Sequence, residues 1–533
     1  MKTLPHCLEK SKTQTPSRVA INDRGTEITY SQLVRTSHHL ACGLYKSGIK
    51  RGDKVGVWLP NIAAYLEVFL ACAELGAIVV SLNTKFKSFE MADIVTRSGC
   101  STLVLWPDFK NIPFMEILSE IPKDGLNALQ SVVIYSENDD FTLSIPDCLA
   151  DKDLILFDDL TKSDVYTLPE IAETDGLVVF TTSGTTGKPK FVLHTQYSVT
   201  VHAEEVAENF GYKDRECRLL QVNPLCGTFG LTQALAGFAG GGTVYCLPVF
   251  EPTEACGIMQ NCAITDINGS DDMYAMLLDH TDEEKPFPQL MYAGYAAFNP
   301  ALSDLVEVAS LRGVSLMGLW GMSEVQAFVT HQDPADIAEN RKRAGGRLLS
   351  KSAKIRITDP ETGATLPFGT AGELEIKTPS QMFEYLDNEL ATLKTVTNDG
   401  YIKTGDLCVQ EDETSFTFLS RMGDVLRLGG YLTDPAEIEN CLAAMTGVSQ
   451  AQVVGVQTAK GQRSYAFVVL ENDQKPNEQG MLSYCRENLA GYKVPVAIEC
   501  LSSFPTTQSA NGVKIQRGKL REDAQKQIEA IGS

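Results

Sequence analysis

The run TTSGTTGKPK at residues 181–190 packs Gly, Ser and Thr ahead of two lysines. Exposed amides and hydroxyls in such a loop donate to phosphate oxygens, and Lys188 and Lys190 add positive charge. It is not a P-loop. A Walker A loop needs four residues between its glycines and then Lys-Ser/Thr. Here only Thr185 and Thr186 separate Gly184 from Gly187, and Pro189 stands where the hydroxyl should be. Proline has no N–H to offer a phosphate. A flexible surface turn is the plainer reading, and the density of donors before lysine argues against it.

Four further stretches carry chemistry when taken with the first. LWGMSE (319–324) offers Trp320 to stack on a purine, Ser323 to reach a phosphate and Glu324 to hold Mg²⁺. Alone it reads as a core tryptophan beside surface polar residues. DGYIKTGDL (399–407) sets Asp406 after a Thr-Gly turn, where a carboxylate can accept both hydroxyls of a ribose; alone, TGD is a turn. SRMGDVLRLGGYLTDPAEIE (420–439) supplies Arg421 for sugar or phosphate, with Gly423, Gly429 and Gly430 where a flexible connection is wanted. PTTQSANGVKIQRGKLR (505–521) places Lys514 beside a turn, followed by Arg517, Lys519 and Arg521, which read as a solvated basic tail.

These residues need a frame. VGVWL (55–59), AIVVSL (77–82), STLVLW (101–106), SVVIYS (131–136), GLVVF (176–180) and GTVYCL (242–247) read as buried strands. Helix-like spacing follows most of them, as in YLEVFLACAELG, predicting a layered α/β unit with largely parallel sheets. From about residue 346, AKIRITD, GELEIKT, CVQED and TFLSR alternate like a small antiparallel barrel or sheet. After Arg421, PAEIENCLAAM, QAQVVGVQ, SYAFVVLEN and EQGMLSYCRENLA predict a small α+β domain. The expected division is therefore 1–420, with a β-rich part at 345–420, and 421–533, with a hinge near 421–424. A chain of 533 residues is too long for one core.

The formal charge of −22 argues against nucleic acid or an anionic membrane as partner. The fourteen cysteines contain no C-x-x-C pair, so a reducing compartment, the cytoplasm, is expected. No apolar signal core opens the chain, and Glu67 and Glu74 interrupt its most apolar run, so membrane insertion is not expected.

The five stretches, in this order, resemble the adenylate-forming superfamily of acyl-CoA synthetases, peptide-synthetase adenylation domains and luciferases. Thr182 to Lys190 match its [Ser/Thr]-Ser-Gly-Thr-Thr-Gly-x-Pro-Lys pattern, and Trp320 to Glu324 its Tyr-Gly-x-Thr-Glu pattern. Thr404-Gly405-Asp406, the hinge motif at Arg421, Gly430, Pro435 and Glu437, and Lys514 before Ile-x-Arg complete the set. The resemblance implies that ATP is cleaved between its α and β phosphates by attack of a carboxylate. Thr182, Ser183, Gly184, Thr185, Thr186, Gly187 and Lys190 would seat the triphosphate. Gly294 and Ala296, in MYAGYAAF, would form the adenine turn, and Trp320, Gly321 and Ser323 would add to the nucleotide site. Asp406 and Arg421 would hold the ribose, Glu324 the magnesium, and Lys514 would be the catalytic cation. It further implies that the small domain rotates so that coenzyme A can attack the acyl-adenylate, with Gly430 bordering the thiol's channel. A homodimer is left open.

Three departures from the family pattern stand out. Phe191 replaces a usual glycine, and Ser420 the Gly of Gly-Arg. In NPLCGTFGL (223–231), Cys226 and Gly227 replace Phe-His of the acyl-pocket motif. The pocket is thus expected to involve Cys226, Gly227, Phe229 and Gly318, and Gly227 to admit a bulkier acyl group. Gly423 also replaces the common Lys or Asp of the hinge. Cys226–Thr228 offers no carboxylate for an α-amine, which ranks a fatty or arylalkyl acid above an amino acid. Only twelve residues follow Arg521, so a carrier domain is not expected. A stand-alone adenylation enzyme, a carrier-protein ligase and a non-catalytic nucleotide-binding protein are the alternatives.

Overall fold

The computed structural model describes residues 1–109, 112–138, 144–182, 189–299, 302–424, 426–428, 431–433, 435–458, 461–471, 477–489, 491–509 and 512–532. The apolar run after residue 60 forms the helix Ala63–Leu75, buried at every position but Glu74. Gly76, at φ +74°, ends it and bonds to the Cys72 carbonyl, a turn that glycine makes without strain. The chain then enters the buried strand Ile78–Ser81.

That strand belongs to an eight-stranded sheet. Its neighbours run outward through Lys54–Trp58, Thr102–Leu105, Ser131–Ile134 and Asp153–Leu156, all parallel. On the other side lies Gly176–Thr182, also parallel. The chain then returns antiparallel as Lys190–Thr195, with Thr182 opposite Lys190. The strands on either side of the candidate phosphate segment are therefore antiparallel neighbours, unlike the strand-to-helix arrangement of a P-loop.

The second sheet has thirteen strands. Parallel members include Arg218–Gln221, Thr243–Cys246, Asp266–Ser270, Tyr292–Ala296 and Leu316–Met322. At Leu316–Met322 the pattern turns antiparallel through Gln326–His331 and Gly345–Leu348. It ends with Ser415–Arg421, Ile402–Asp412, Ala371–Lys377 and Lys354–Thr358. The antiparallel strands expected after residue 346 are all present. They form one edge of the large sheet rather than a separate barrel, because Gly345–Leu348 pairs with both halves.

The C-terminal part keeps its own cores, built only from residues 426 onward. Val448–Thr458 pairs antiparallel with Gly461–Leu470, and Ile498–Leu501 adds in parallel. Side chains alternate across this sheet as strand geometry requires. Ala466 and Val468 pack under the helices Pro435–Ala443 and Glu478–Asn488, while Tyr465 and Phe467 face the other way with Leu520 and Ala524 of Arg517–Gly532. The basic tail is not simply solvated. Arg517 is ion-paired with Glu439 at 2.8 Å, and Arg521 donates to the Gly423 carbonyl at 2.7 Å.

Candidate active site

Leu316–Met322 carries the Trp-Gly-x-Ser-Glu residues to the carboxyl ends of the parallel strands, where α/β sheets bind ligands. Gly321 is required there: a Cβ would stand 2.6 Å from the Gln326 carbonyl oxygen across the hairpin. The turn is held from three sides. His194 Nε2 bonds to the Ser323 carbonyl at 2.7 Å, Met382 N–H donates to the Glu324 carbonyl at 2.7 Å, and Val325 N–H reaches Met322. Beyond the turn, Gln326 (φ +68°) and Phe328 (φ +61°) lie in the left-handed region, a strain on the order of 1–3 kcal/mol each. Gln326 Nε2 donates to the carbonyls of Ser198 and Ser380, which secures that conformation.

Glu324 is 8% exposed, and its Oε1 accepts from the Tyr385 hydroxyl at 2.6 Å. Tyr385 lies on the two-residue strand Glu384–Tyr385, paired to Lys190–Thr195. The Lys190 ammonium sits 4.5 Å over the Tyr385 ring. Lysine, phenol and carboxylate thus form one chain of contacts. Burial, and then Glu324, push the Tyr385 phenol well above its ordinary pKa, so it stays a donor.

A second chain of contacts begins at Trp320, whose indole N–H donates to Asp406 Oδ2 at 2.9 Å. Arg421 bonds to Asp406 Oδ1 and to the Thr404 carbonyl. Gly405, at φ +68°, makes the intervening turn, and its carbonyl accepts from Met422 N–H at 2.7 Å. Burial raises the Asp406 carboxyl against the pull of Arg421, and the nearby Glu324 charge adds to the rise. Two clusters that are far apart in sequence therefore share one electrostatic neighbourhood. Trp320 itself is 6% exposed and lies edge-on to Phe416, so most of its surface is committed to the core.

Gly294 faces Asn268 across paired parallel strands, and Ala296 ends the strand Tyr292–Ala296. Gly227 caps the helix Thr228–Ala239; Cys226 and Phe229 are buried, Phe229 against the Phe328 ring at 5.1 Å. Burial pushes the Cys226 thiol up to about 12, so it is a small apolar wall and not a nucleophile. Gly318 lies within the strand Leu316–Met322. A Cβ there would meet the Arg343 carbonyl oxygen at 2.1 Å, so main-chain packing accounts for the glycine. Ser183, Gly184, Thr185, Thr186, Gly187 and Gly430 lie outside the described residues. Lys514 is on the strand Gly512–Ile515, opposite Thr507.

Residues that the motifs did not flag are Tyr385, His194 and Met382. Phe191, where the family pattern has glycine, is buried with the Arg97 guanidinium 4.5 Å over its ring. Among the described residues no cluster of three His, Cys, Asp or Glu could hold a metal. One carboxylate such as Glu324 still suits Mg²⁺, which binds through one or two carboxylates together with phosphate oxygens and water.

The family described as AMP-binding enzyme matches residues 8–386, and its C-terminal domain matches residues 437–511. A medium-chain acyl-CoA ligase, ACSF2, mitochondrial, of Danio rerio is 28% identical over 550 residues, covering 99% of this chain and 89% of the relative. A feruloyl-CoA synthase of Amycolatopsis sp is 28% identical over 512 residues, covering 95% and 96%. The solved O-succinylbenzoate coenzyme A synthetase (MenE) of Bacillus subtilis, in complex with ATP and magnesium ion, superposes with a TM-score of 0.78 at 26% identity, covering 96% and 98%.

Proposed function

The chain belongs to the AMP-binding enzyme family, and from that premise we propose that it activates a fatty or arylalkyl carboxylic acid with ATP and transfers it to coenzyme A. In the first step a carboxylate oxygen attacks the α-phosphorus, the bond to the β-phosphate oxygen breaks, and pyrophosphate leaves. In the second the thiol sulfur attacks the acyl carbon, and AMP leaves with the electrons of the carbon–oxygen bond. Two anions must meet in the first step, so positioned cations are the main requirement.

The observation that carries this reading is the pair of linked clusters, Lys190–Tyr385–Glu324 and Trp320–Asp406–Arg421. Lys190 and residues 182–187 are assigned to the triphosphate, Gly294, Ala296 and Gly321 to the adenine side, and Asp406 with Arg421 to the ribose. Glu324 would hold Mg²⁺, which screens phosphate charge when bound. Lys514 is assigned to the first step, and Gly430 to the thiol's approach after the small domain turns. Cys226, Gly227 and Phe229 are assigned to the acyl pocket. The names of the acyl-CoA ligase and feruloyl-CoA synthase relatives support a CoA thioester as product. All fourteen cysteines are free, which suits a reducing compartment, and we place the enzyme in the cytoplasm.

The test is a panel of carboxylic acids with ATP, Mg²⁺ and coenzyme A, read as AMP and as thioester mass. AMP and thioester should appear together for one acid class. Pyrophosphate release without thioester would favour a stand-alone adenylation enzyme, and ADP as product would overturn the scheme.

A further inference from the structure

Five carboxamides lie together beneath the strand ends: Asn61, Gln221, Asn223, Gln233 and Asn268, all 5% exposed or less. Their N–H groups are directed along the cluster. Gln233 donates to Gln221 Oε1 at 2.9 Å, Gln221 to the Asn223 carbonyl at 2.6 Å, and Asn223 to the Asn268 carbonyl at 2.7 Å. Asn61 also donates to the Asn223 carbonyl, and its own oxygen accepts Leu225 N–H. The side-chain oxygens of Asn223, Gln233 and Asn268, by contrast, accept nothing. Buried acceptors without donors are uncommon and unfavourable, and each calls for an explanation.

Their placement supplies one. Asn268 stands in register with Gly294, and its Oδ1 lies 2.3 Å from where a Gly294 Cβ would be. Only glycine at 294 leaves room for that oxygen. Asn223 opens the segment leading through Pro224 and Leu225 to Cys226 and Gly227. Two of the three unpartnered oxygens therefore belong to residues beside these parts, Asn268 paired with the candidate adenine strand and Asn223 at the start of the candidate acyl segment. A hydrocarbon tail would leave them unpaired, and another acceptor would be repelled.

We propose that Asn223 and Asn268 form a donor-recognising subsite, and that the acid this enzyme activates carries a hydroxyl or amine whose hydrogen these oxygens accept. The proposal rests on the acid-activating function above and narrows its substrate class.

The experiment compares matched acids differing by one hydroxyl, for instance ω-hydroxylated and plain fatty acids, or 4-hydroxylated and plain cinnamates. Thioester kcat/KM is measured for the full chain and for Asn268→Leu, with Asn268→Ala as a second variant lacking added branching. Melting curves check each fold. The hydroxylated member should be preferred by about tenfold, the worth of one hydrogen bond, and the preference should vanish in whichever variant folds. A preference for the plain acid in every pair, or one unchanged in the variants, overturns the proposal while leaving thioester formation in place. Absence of AMP and thioester with every acid instead overturns the functional reading beneath it. A parallel arm replaces ATP with purine riboside triphosphate, which lacks the exocyclic amine. If that change costs about tenfold in the native chain and nothing in the variant, the oxygen serves the base, and the proposal fails.

Discussion

The Tyr385 hydroxyl donates to Glu324 Oε1 at 2.6 Å while the same ring lies under the Lys190 ammonium at 4.5 Å. One aromatic side chain thereby joins a lysine from the candidate phosphate-loop hairpin to the candidate magnesium carboxylate. The contact exists because Leu386 N–H bonds to Phe191 and Phe383 N–H bonds to Leu193, which fastens residues 383–386 along the hairpin edge.

Tyr385→Phe keeps the ring, and with it the lysine contact, but removes the donor. A buried carboxylate that loses a hydrogen bond is unfavourable by roughly 1.5–3 kcal/mol. KM for MgATP should rise about tenfold or more, and Mg²⁺ titration monitored by nucleotide binding should weaken in parallel. The melting temperature should fall by about a few degrees as well, because Glu324 is already buried in the unliganded chain.

The Asp406 cluster predicts a different pattern. Its carboxylate accepts from both Trp320 and Arg421, so Asp406→Ala strands the buried Trp320 indole N–H and removes the carboxylate partner of the more exposed Arg421. The loss should be on the order of 1–3 kcal/mol of stability, seen in denaturant unfolding, together with weaker AMP binding. Asp406→Asn keeps one acceptor for Trp320 and should fall between the two, which calorimetry with AMP would resolve.

The parts of the candidate site that the sequence marks are contiguous stretches: a loop, a turn or a strand end each carries its own spacing. The six buried strands and the helix before Gly76 were legible for the same reason, since an unbroken apolar run has few other places to go. Tyr385 was not legible. It acts through a two-residue strand whose partner lies nearly two hundred positions away, and nothing local marks it. His194 was missed because its partner is a backbone carbonyl, which any sequence supplies. The solvated-tail reading of Arg517 and Arg521 failed because their partners, Glu439 and Gly423, stand 78 and 98 residues earlier in the chain.

Buried histidines give the acid side of the stability profile. Burial lowers His194 and His202 to about 4 each, so both fold neutral. Below the unfolded value of 6.5 the unfolded chain binds protons that the folded chain refuses, and stability falls as pH drops. Glu67 works the other way. Burial raises it to about 7, so its contribution is present below 4.5 and lost as pH rises through 7. Between pH 7.5 and 4.5 one group partly offsets the two histidines. Glu67→Gln should therefore steepen the acid loss by roughly 2–3 kcal/mol, measured by denaturant unfolding at both pH values.

The acyl-pocket departure gives a specificity test. Gly227 opens the helix Thr228–Ala239 next to buried Cys226 and Phe229. Gly227→His adds an imidazole there and should shift thioester formation toward shorter or slimmer acids. A one-methylene difference in a hydrophobic pocket is worth roughly 10–200-fold, so the chain-length profile, measured as kcat/KM across a homologous series, should move visibly.

Lys514 offers the sharpest test of the two-step scheme. Its strand, Gly512–Ile515, belongs to the small domain, while the candidate nucleotide residues Asp406 and Trp320 belong to the large one. A cation delivered by one body to a site on another can serve one half-reaction and be absent from the next. Lys514→Ala should lower formation of acyl-adenylate, measured as pyrophosphate release, by a factor on the order of 100 or more. Thioester formation from supplied acyl-adenylate should remain nearly unchanged. Equal loss of both half-reactions would instead make position 514 a structural requirement of the small domain, and its assignment to the first step would fall.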